Sequence, residues 1–283
     1  MSENAIRESV EILSRAWPKP LPSDVLVLGS GLGEVIETLE IEAAFGYGEL
    51  SGFPATSVKG HAGRLTIGTL KARPVVVLEG REHYYERGRA DAMAVPIRTL
   101  RRLGAERLLM TNAAGSLDAD MEPGSLMLVS DHINWTGANP LIGNAEGDDR
   151  FVDLTNAYDT VTRANLSASA ERARIPLFEG VYVGFAGPSF ETPAEIRAAK
   201  TLGGNAVGMS LVPETILARH CGLNVGAISV MTNYAAGIAP SPLSHQQTME
   251  AAAQAAPRCR AVIEAYFSSA APGEQPTPNP GSN

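Results

Sequence analysis

An arginine and a histidine stand two places apart in Gly80-Arg81-Glu82-His83-Tyr84-Tyr85-Glu86, directly after the apolar run Val75–Leu78. A guanidinium offers a planar fork for phosphate and an imidazole adds a donor of adjustable charge, so Arg81 with His83 suits an oxyanion. Alternation places Arg81, His83 and Tyr85 on one side of an extended segment. A charged, solvent-facing loop accounts equally for this run alone. His61 lies in a comparable setting, Gly60-His61-Ala62-Gly63-Arg64. The turn Gly29-Ser30-Gly31-Leu32-Gly33 follows Val25-Leu26-Val27-Leu28. Its backbone amides and the Ser30 hydroxyl can hold a phosphate. Taken alone, it reads as a tight strand-to-helix turn.

Four further motifs stand at or near the ends of expected strands, where α/β proteins collect ligand groups. In Thr111-Asn112-Ala113-Ala114-Gly115-Ser116 the small residues let a ligand approach the backbone, which makes the Ala113 amide a candidate donor. Gly187-Pro188-Ser189-Phe190-Glu191 precedes Thr192-Pro193-Ala194-Glu195, which reads as a capping box with proline at the first helical position. Glu191 then falls in the loop before a helix, free to face a ligand or to answer the helix dipole. Gly208-Met209-Ser210 and Thr232-Asn233 complete the set.

Several familiar chemistries are excluded. The third glycine of the 29–33 turn comes one place too early for a dinucleotide fingerprint, with Glu34 where glycine is required. No phosphate-loop motif of a nucleoside triphosphatase occurs. Gly208-Met209-Ser210-Leu211-Val212 ends in valine where an esterase elbow needs glycine. Five scattered histidines and two cysteines show no metal-ligand spacing.

These motifs need a scaffold that brings strand ends together. Apolar runs at 25–28, 75–78, 107–111, 126–130, 181–186 and 225–231 alternate with helical spacing around 92–103, 158–173, 193–202 and 213–221. Strands buried on both faces and interspersed with helices predict an α/β fold with a central, parallel or mixed sheet flanked by helices. A helix is expected over 3–16, and another over 244–267 that Pro257 should kink or split. No linker divides the body, so a single domain is expected over 1–268, followed by a disordered Pro/Gly/Ser-rich tail at 269–283. Residues 137–150 read as a long polar loop.

The 283 residues, 44% hydrophobic and 19% charged, suffice for a sizeable core without disulfides. A net charge of −8 disfavours general nucleic-acid binding, which needs a positive field. Only Cys221 and Cys259 are present, no secretory signal is visible and no apolar run approaches a membrane span, so a cytoplasmic protein is expected.

Together and in this order, the motifs resemble the trimeric, low-molecular-mass class of purine nucleoside phosphorylases, from about Val25 to Phe267. The resemblance implies phosphorolysis of 6-oxopurine ribo- and deoxyribonucleosides, such as inosine and guanosine, to free base and α-(deoxy)ribose 1-phosphate. Ser30, His61, Arg81, His83, the Ala113 amide and Ser210 match phosphate-binding positions, with His61 on a flexible loop at the entrance. Tyr85 and Met209 match ribose contacts, and His245 the histidine near the 5′-hydroxyl. Glu191 and Asn233 match the purine-reading side chains, beside the aromatic Phe190. Asn233 would donate to O6 and N7, and Glu191 would accept from N1–H. Asn233, Glu191, His83 and His245 are the candidate catalytic residues. Phe151 matches a residue supplied by the neighbouring subunit, which implies a homotrimer. Phosphate is the co-substrate, and no cofactor or metal is implied. Tyr234 stands where mammalian members carry lysine, and Ala235-Ala236-Gly237 replaces a bulkier stretch, a bacterial pattern. Two alternatives are a methylthioadenosine-type phosphorylase, which typically carries Asp in place of Asn233, and a catalytically silent nucleoside-binding protein.

Overall fold

A computed structural model describes residues 3–55, 62–143, 150–238 and 244–269. His61, part of the expected 137–150 loop and all but Ser269 of the expected tail lie outside them. In chain order the elements are α1 (Glu3–Ala16), β1 (Asp24–Val27), β2 (Glu40–Gly46), β3 (Arg64–Leu70), β4 (Arg73–Glu79), α2 (Tyr84–Arg87), α3 (Ala94–Arg102), β5 (Arg107–Ser116), β6 (Leu126–Asn134), α4 (Thr160–Ala173), β7 (Leu177–Gly184), α5 (Pro193–Thr201), β8 (Ala206–Gly208), α6 (Val212–His220), β9 (Asn224–Tyr234) and α7 (His245–Phe267). Short 3₁₀ turns lie at Gly33–Ile36 and Tyr47–Glu49.

The strands form one mixed sheet in the order β2-β3-β4-β1-β5-β8-β7-β6-β9. β4, β1, β5 and β9 run parallel, so their carboxyl ends emerge on the same side. Because β9 also pairs with both β5 and β6, the strands β5, β9, β6, β7 and β8 close into a circuit. Among the described residues this leaves β2 as the open edge, guarded by exposed Glu40 and Glu42. At Gly68 of β3 a Cβ would lie 2.4 Å from the Glu40 carbonyl, and the β2–β3 register shifts nearby between Ile41 and Ala43. Glycine is what lets the edge strand bulge there.

Side chains alternate between two cores across the sheet. Val25, Val27, Val76 and Leu78 pack with Ile97 and Leu100 of α3 and Leu217 of α6. Leu26, Val75 and Val77 pack instead with Leu166 of α4 and the apolar face of α7. That face, Ala252, Ala255, Cys259, Val262, Ile263 and Phe267, carries α7 without interruption past Pro257, contrary to the expected split. The lost backbone hydrogen bond costs about 3 kcal/mol, and the burial that continues on both sides of it offsets this. Among the described residues no helix is long and apolar enough to cross a membrane.

The amino ends of three parallel strands carry a buried charge cluster. Asp24 opens β1 and accepts from Arg73 of β4 at 2.5 Å and from Arg107 of β5 at 2.6 Å. Arg73 also donates to the carbonyls of Tyr266 at 3.1 Å and Ser269 at 3.2 Å, and lies over the rings of Tyr266 and Phe267. A cation at a helix C-terminus meets the negative end of its dipole. This cluster fastens the far end of α7 to the sheet. Asp24→Ala would leave two buried guanidinium groups without their carboxylate, and is expected to destabilise the protein by about 3–5 kcal/mol. Urea unfolding, followed by circular dichroism, measures that loss.

Candidate active site

The carboxyl ends of the parallel strands open into a cavity of about 440 Å³. Ser30 enters from the turn after β1, Arg81, His83 and Tyr85 from the segment after β4, and Ala113 from β5. Phe190 and Glu191 come from the loop before α5, Met209 and Ser210 from the turn after β8, Asn233 from β9 and His245 from α7. Of the site residues expected from sequence, only His61, which is not described, and Phe151 are absent from this lining. Phe151 projects elsewhere with 78% of its surface exposed.

Within this lining Arg81 is fully buried. Its Nη2 donates to the Thr111 carbonyl at 2.7 Å, and its Nη1 lies 3.4 Å from Glu214 Oε1 of α6. The Thr111 hydroxyl accepts from the Gly29 amide at 3.2 Å. A Cβ at Gly29 would stand 2.7 Å from the Thr111 carbonyl, so glycine permits this close approach. Tyr47, itself buried, donates its hydroxyl to the Gly80 carbonyl at 2.8 Å and so fixes the start of the Arg81 turn.

The backbone leaves its extended course at His83, because Tyr84–Arg87 forms a helical turn with His83 as N-cap. The alternation expected through Tyr85 therefore ends early. His83 and Tyr85 meet instead by stacking, with ring centroids 4.9 Å apart. Glu86 Oε1 accepts from the His83 backbone amide at 2.7 Å and lies 3.1 Å from Nδ1. This contact places the ring proton on Nδ1 in the neutral tautomer. Burial, reinforced by Glu86, pushes the Tyr85 phenol up to about 12.

Ser210 is held from below, its amide donating to the buried Tyr182 hydroxyl at 3.2 Å. The next residue, Leu211, has φ 68° and ψ −52°, and Val212 N–H donates to the Ser210 carbonyl at 2.8 Å. This is a γ-turn of the rare, strained kind. A non-glycine residue held there stores on the order of 1–3 kcal/mol, and the strain lies directly beside the cavity.

Glu191, also in the lining, is 8% exposed, and its Oε1 has no hydrogen-bond partner among the described residues. Burial, with a smaller push from Glu195, raises its pKa above the ordinary carboxylate value. The helix dipole is answered by a different group. Thr192 accepts from the Glu195 amide at 3.2 Å and its own amide donates to Glu195 Oε2 at 2.7 Å, the expected capping box. Glu191 is thereby left to the cavity. Asn233 accepts from the Thr232 hydroxyl at Oδ1 and donates from Nδ2 to the Tyr234 carbonyl, both at 2.9 Å. One N–H is thus committed, and the amide offers a single donor and a single acceptor, not the two donors expected.

Residues 24–268 match the model of the Phosphorylase superfamily. Purine nucleoside phosphorylase 1 of Geobacillus stearothermophilus is 44% identical over 252 residues, covering 88% of this chain and 92% of that protein. The Bacillus subtilis protein of the same name is 44% identical over 231 residues, with 81% and 85% covered. The chain belongs to the purine nucleoside phosphorylase family, in its bacterial form. Among solved structures, Schistosoma purine nucleoside phosphorylase in complex with hypoxanthine superposes with a TM-score of 0.83 at 31% identity, over 94% of this chain and 97% of that one. A Schistosoma mansoni structure in complex with adenosine gives 0.84 at the same identity and coverage.

Sequence reasoning missed some of the phosphorylase cavity. Thr248 lines it, one helical turn after His245, a spacing that could have been noticed. Glu214 and Tyr182, which hold Arg81 and Ser210 from behind, carried no local signal.

The raised pKa of Glu191 has a measurable consequence. The folded carboxyl keeps its proton where the unfolded one has lost it, so its stability contribution is full below the unfolded value and is lost as pH rises through the folded one. Glu191→Gln escapes that loss. Its melting temperature is expected to match the parent in acid and to exceed it increasingly toward neutral pH, as read by scanning calorimetry across that range. A constant offset between the two would contradict a desolvated carboxyl.

Proposed function

We propose that this phosphorylase cleaves 6-oxopurine ribo- and deoxyribonucleosides reversibly, with inorganic phosphate as the nucleophile, and so serves purine salvage. The observation that carries this reading is a single cavity lined by a buried guanidinium, by a buried carboxyl whose Oε1 has no hydrogen-bond partner among the described residues, and by the primary amide of Asn233. In the forward direction a phosphate oxygen bonds to C1′ while the C1′–N9 bond breaks, and its electron pair passes to the purine. Arg81, His83, Ser30, Ser210 and the Ala113 amide hold the dianion close to C1′ and in line, and the family resemblance adds His61 to this phosphate-binding set. Proximity of this kind supplies much of the acceleration. Phosphate also stabilises the positive charge that builds on the sugar. Tyr85 and Met209 flank the ribose, and His245 reaches the 5′-hydroxyl.

Negative charge on the departing purine is taken up at O6 and N7. The free N–H of Asn233 suits O6, and its free Oδ1 lone pair suits N7 once N7 carries a proton. These contacts strengthen as the bond breaks, which is where binding accelerates a reaction. Glu191 accepts from N1–H, and Phe190 lies beside the base. The reaction calls on no metal or organic cofactor, because phosphate brings both nucleophile and charge. Two cysteines without a disulfide fit a reducing, cytoplasmic setting. Exposed Phe151 completes the site of a neighbouring subunit in a homotrimer.

The direct test is release of hypoxanthine from inosine with and without phosphate. Release is expected only with phosphate; release without it would make the protein a hydrolase, and binding without release a silent binder. Asn233→Asp replaces the donor to O6 with a second acceptor. Leaving O6 unmatched costs about 1–3 kcal/mol, so kcat/KM for inosine relative to adenosine is expected to fall on the order of ten- to a hundredfold. Equal loss with both nucleosides would remove Asn233 from the 6-position. Light scattering is expected to give three times the chain mass of 29.8 kDa. A fully active monomer would end the shared-site reading.

A further inference from the structure

The base end of the cavity discriminates through one oxygen. Glu191 Oε1 is buried and has no hydrogen-bond partner among the described residues, so its protonation state decides what it can offer a purine. Ionised, it only accepts, and matches the N1–H of a 6-oxopurine. Protonated, it gains an O–H donor, which matches the bare N1 lone pair of a 6-aminopurine. Asn233 does not change with this proton. With one N–H given to Tyr234 and one lone pair taken by Thr232, it keeps one donor and one acceptor. Held in one orientation, that pair suits O6 and N7–H and disfavours an amino group by the same amount at every pH, so any pH dependence of the choice rests on Glu191.

We infer that the Glu191 carboxyl is a proton-dependent selector, and that its protonation opens this site to 6-aminopurine nucleosides as a second substrate class. The inference rests on the phosphorolysis reading above. Burial favours retention of the Glu191 proton and outweighs the hydrogen bond that the carboxylate accepts from its own backbone amide. Glu195, from the first turn of α5, presents a like charge, and Tyr182 of β7 is a buried neutral phenol. Asn233 of β9 is uncharged, and the capping contacts of α5 go to Glu195. With adenosine the proton lies between the carboxyl and N1, whichever partner brings it. A site built around one polar contact rejects the unmatched base strongly, so one proton there is a large lever.

The test is the ratio of kcat/KM for adenosine to that for inosine, measured from pH 5.5 to pH 8 in the intact protein. Ionisation of the shared co-substrate phosphate acts on both nucleosides and cancels in this ratio. The ratio is expected to rise about tenfold for each pH unit lowered above the carboxyl's folded pKa, and to level off below it. Glu191→Gln always carries both a donor and an acceptor. Its ratio is expected to stay flat with pH and to exceed the parent's at pH 8. A flat parental ratio, or a slope retained in the Gln variant, overturns the inference while inosine turnover still supports the phosphorolysis reading. Absence of phosphate-dependent inosine turnover at every pH overturns both.

Discussion

Arg81 stands with its whole side chain out of water, and a cation so placed has to be answered by carbonyl oxygen and negative charge. Much of the local architecture follows from that requirement. Parallel pairing of β1 with β4 and β5 sets Val27 beside Leu78 and Met110, which brings the carbonyls of Val27 and Thr111 to the guanidinium. Gly29 has to be glycine for the chain to pass Thr111 at that distance. Glu214 arrives from α6 to balance part of the charge, and Tyr47 ties down Gly80 so that Arg81 leaves its strand in one direction. What results is a fixed positive site beneath a cavity, prepared before any anion enters, and such preparation is what makes electrostatic stabilisation effective.

The opposite ends of the parallel strands do complementary work. Asp24, Arg73 and Arg107 gather at the amino ends of β1, β4 and β5 and fasten the last turn of α7. That helix has 23 residues, which at about 1.5 Å per residue makes a strut of roughly 34 Å. Its other end carries His245 and Thr248 into the cavity. A small residue lets the two ends cooperate: at Gly31, beside Ser30, a Cβ would stand 2.9 Å from that of Ala252. The turn that carries Ser30 therefore rests directly on the helix that carries His245. Charge is concentrated where it holds the fold together and where it can bind an anion, and apolar packing fills the space between.

What could be read from sequence follows the same logic. β4, β5 and β9 are legible because strands covered on both faces need unbroken apolar runs. β2 lies at the edge and is largely exposed, and β8 is three residues long, so neither leaves such a run. The circuit from β5 through β9 back to β8 depends on pairings between distant segments, about which local patterns say nothing. Pro257 misled because helix propensity is local while the burial that carries α7 past it is tertiary. The motifs after the strands were legible because small residues and turn chemistry mark where a chain ends a strand. The support behind them was not: the strained turn at Leu211, Tyr182 under Ser210 and the single free N–H of Asn233 are facts of three-dimensional placement.

The two ends of the cavity handle charge by opposite means. At the phosphate end the protein supplies carbonyls, Glu214 and buried strands to make a cation acceptable. At the base end it leaves a carboxyl oxygen of Glu191 unanswered, although a serine or a backbone amide could have satisfied it. An unpaired buried acceptor costs about 1–3 kcal/mol, and a fold assembled for stability alone would remove it. Keeping it makes sense where the missing donor belongs to the substrate, because the penalty is then relieved only when a matching base is bound. On the proposed reading, selectivity at Glu191 has its origin in a local instability that the rest of the fold is stable enough to carry.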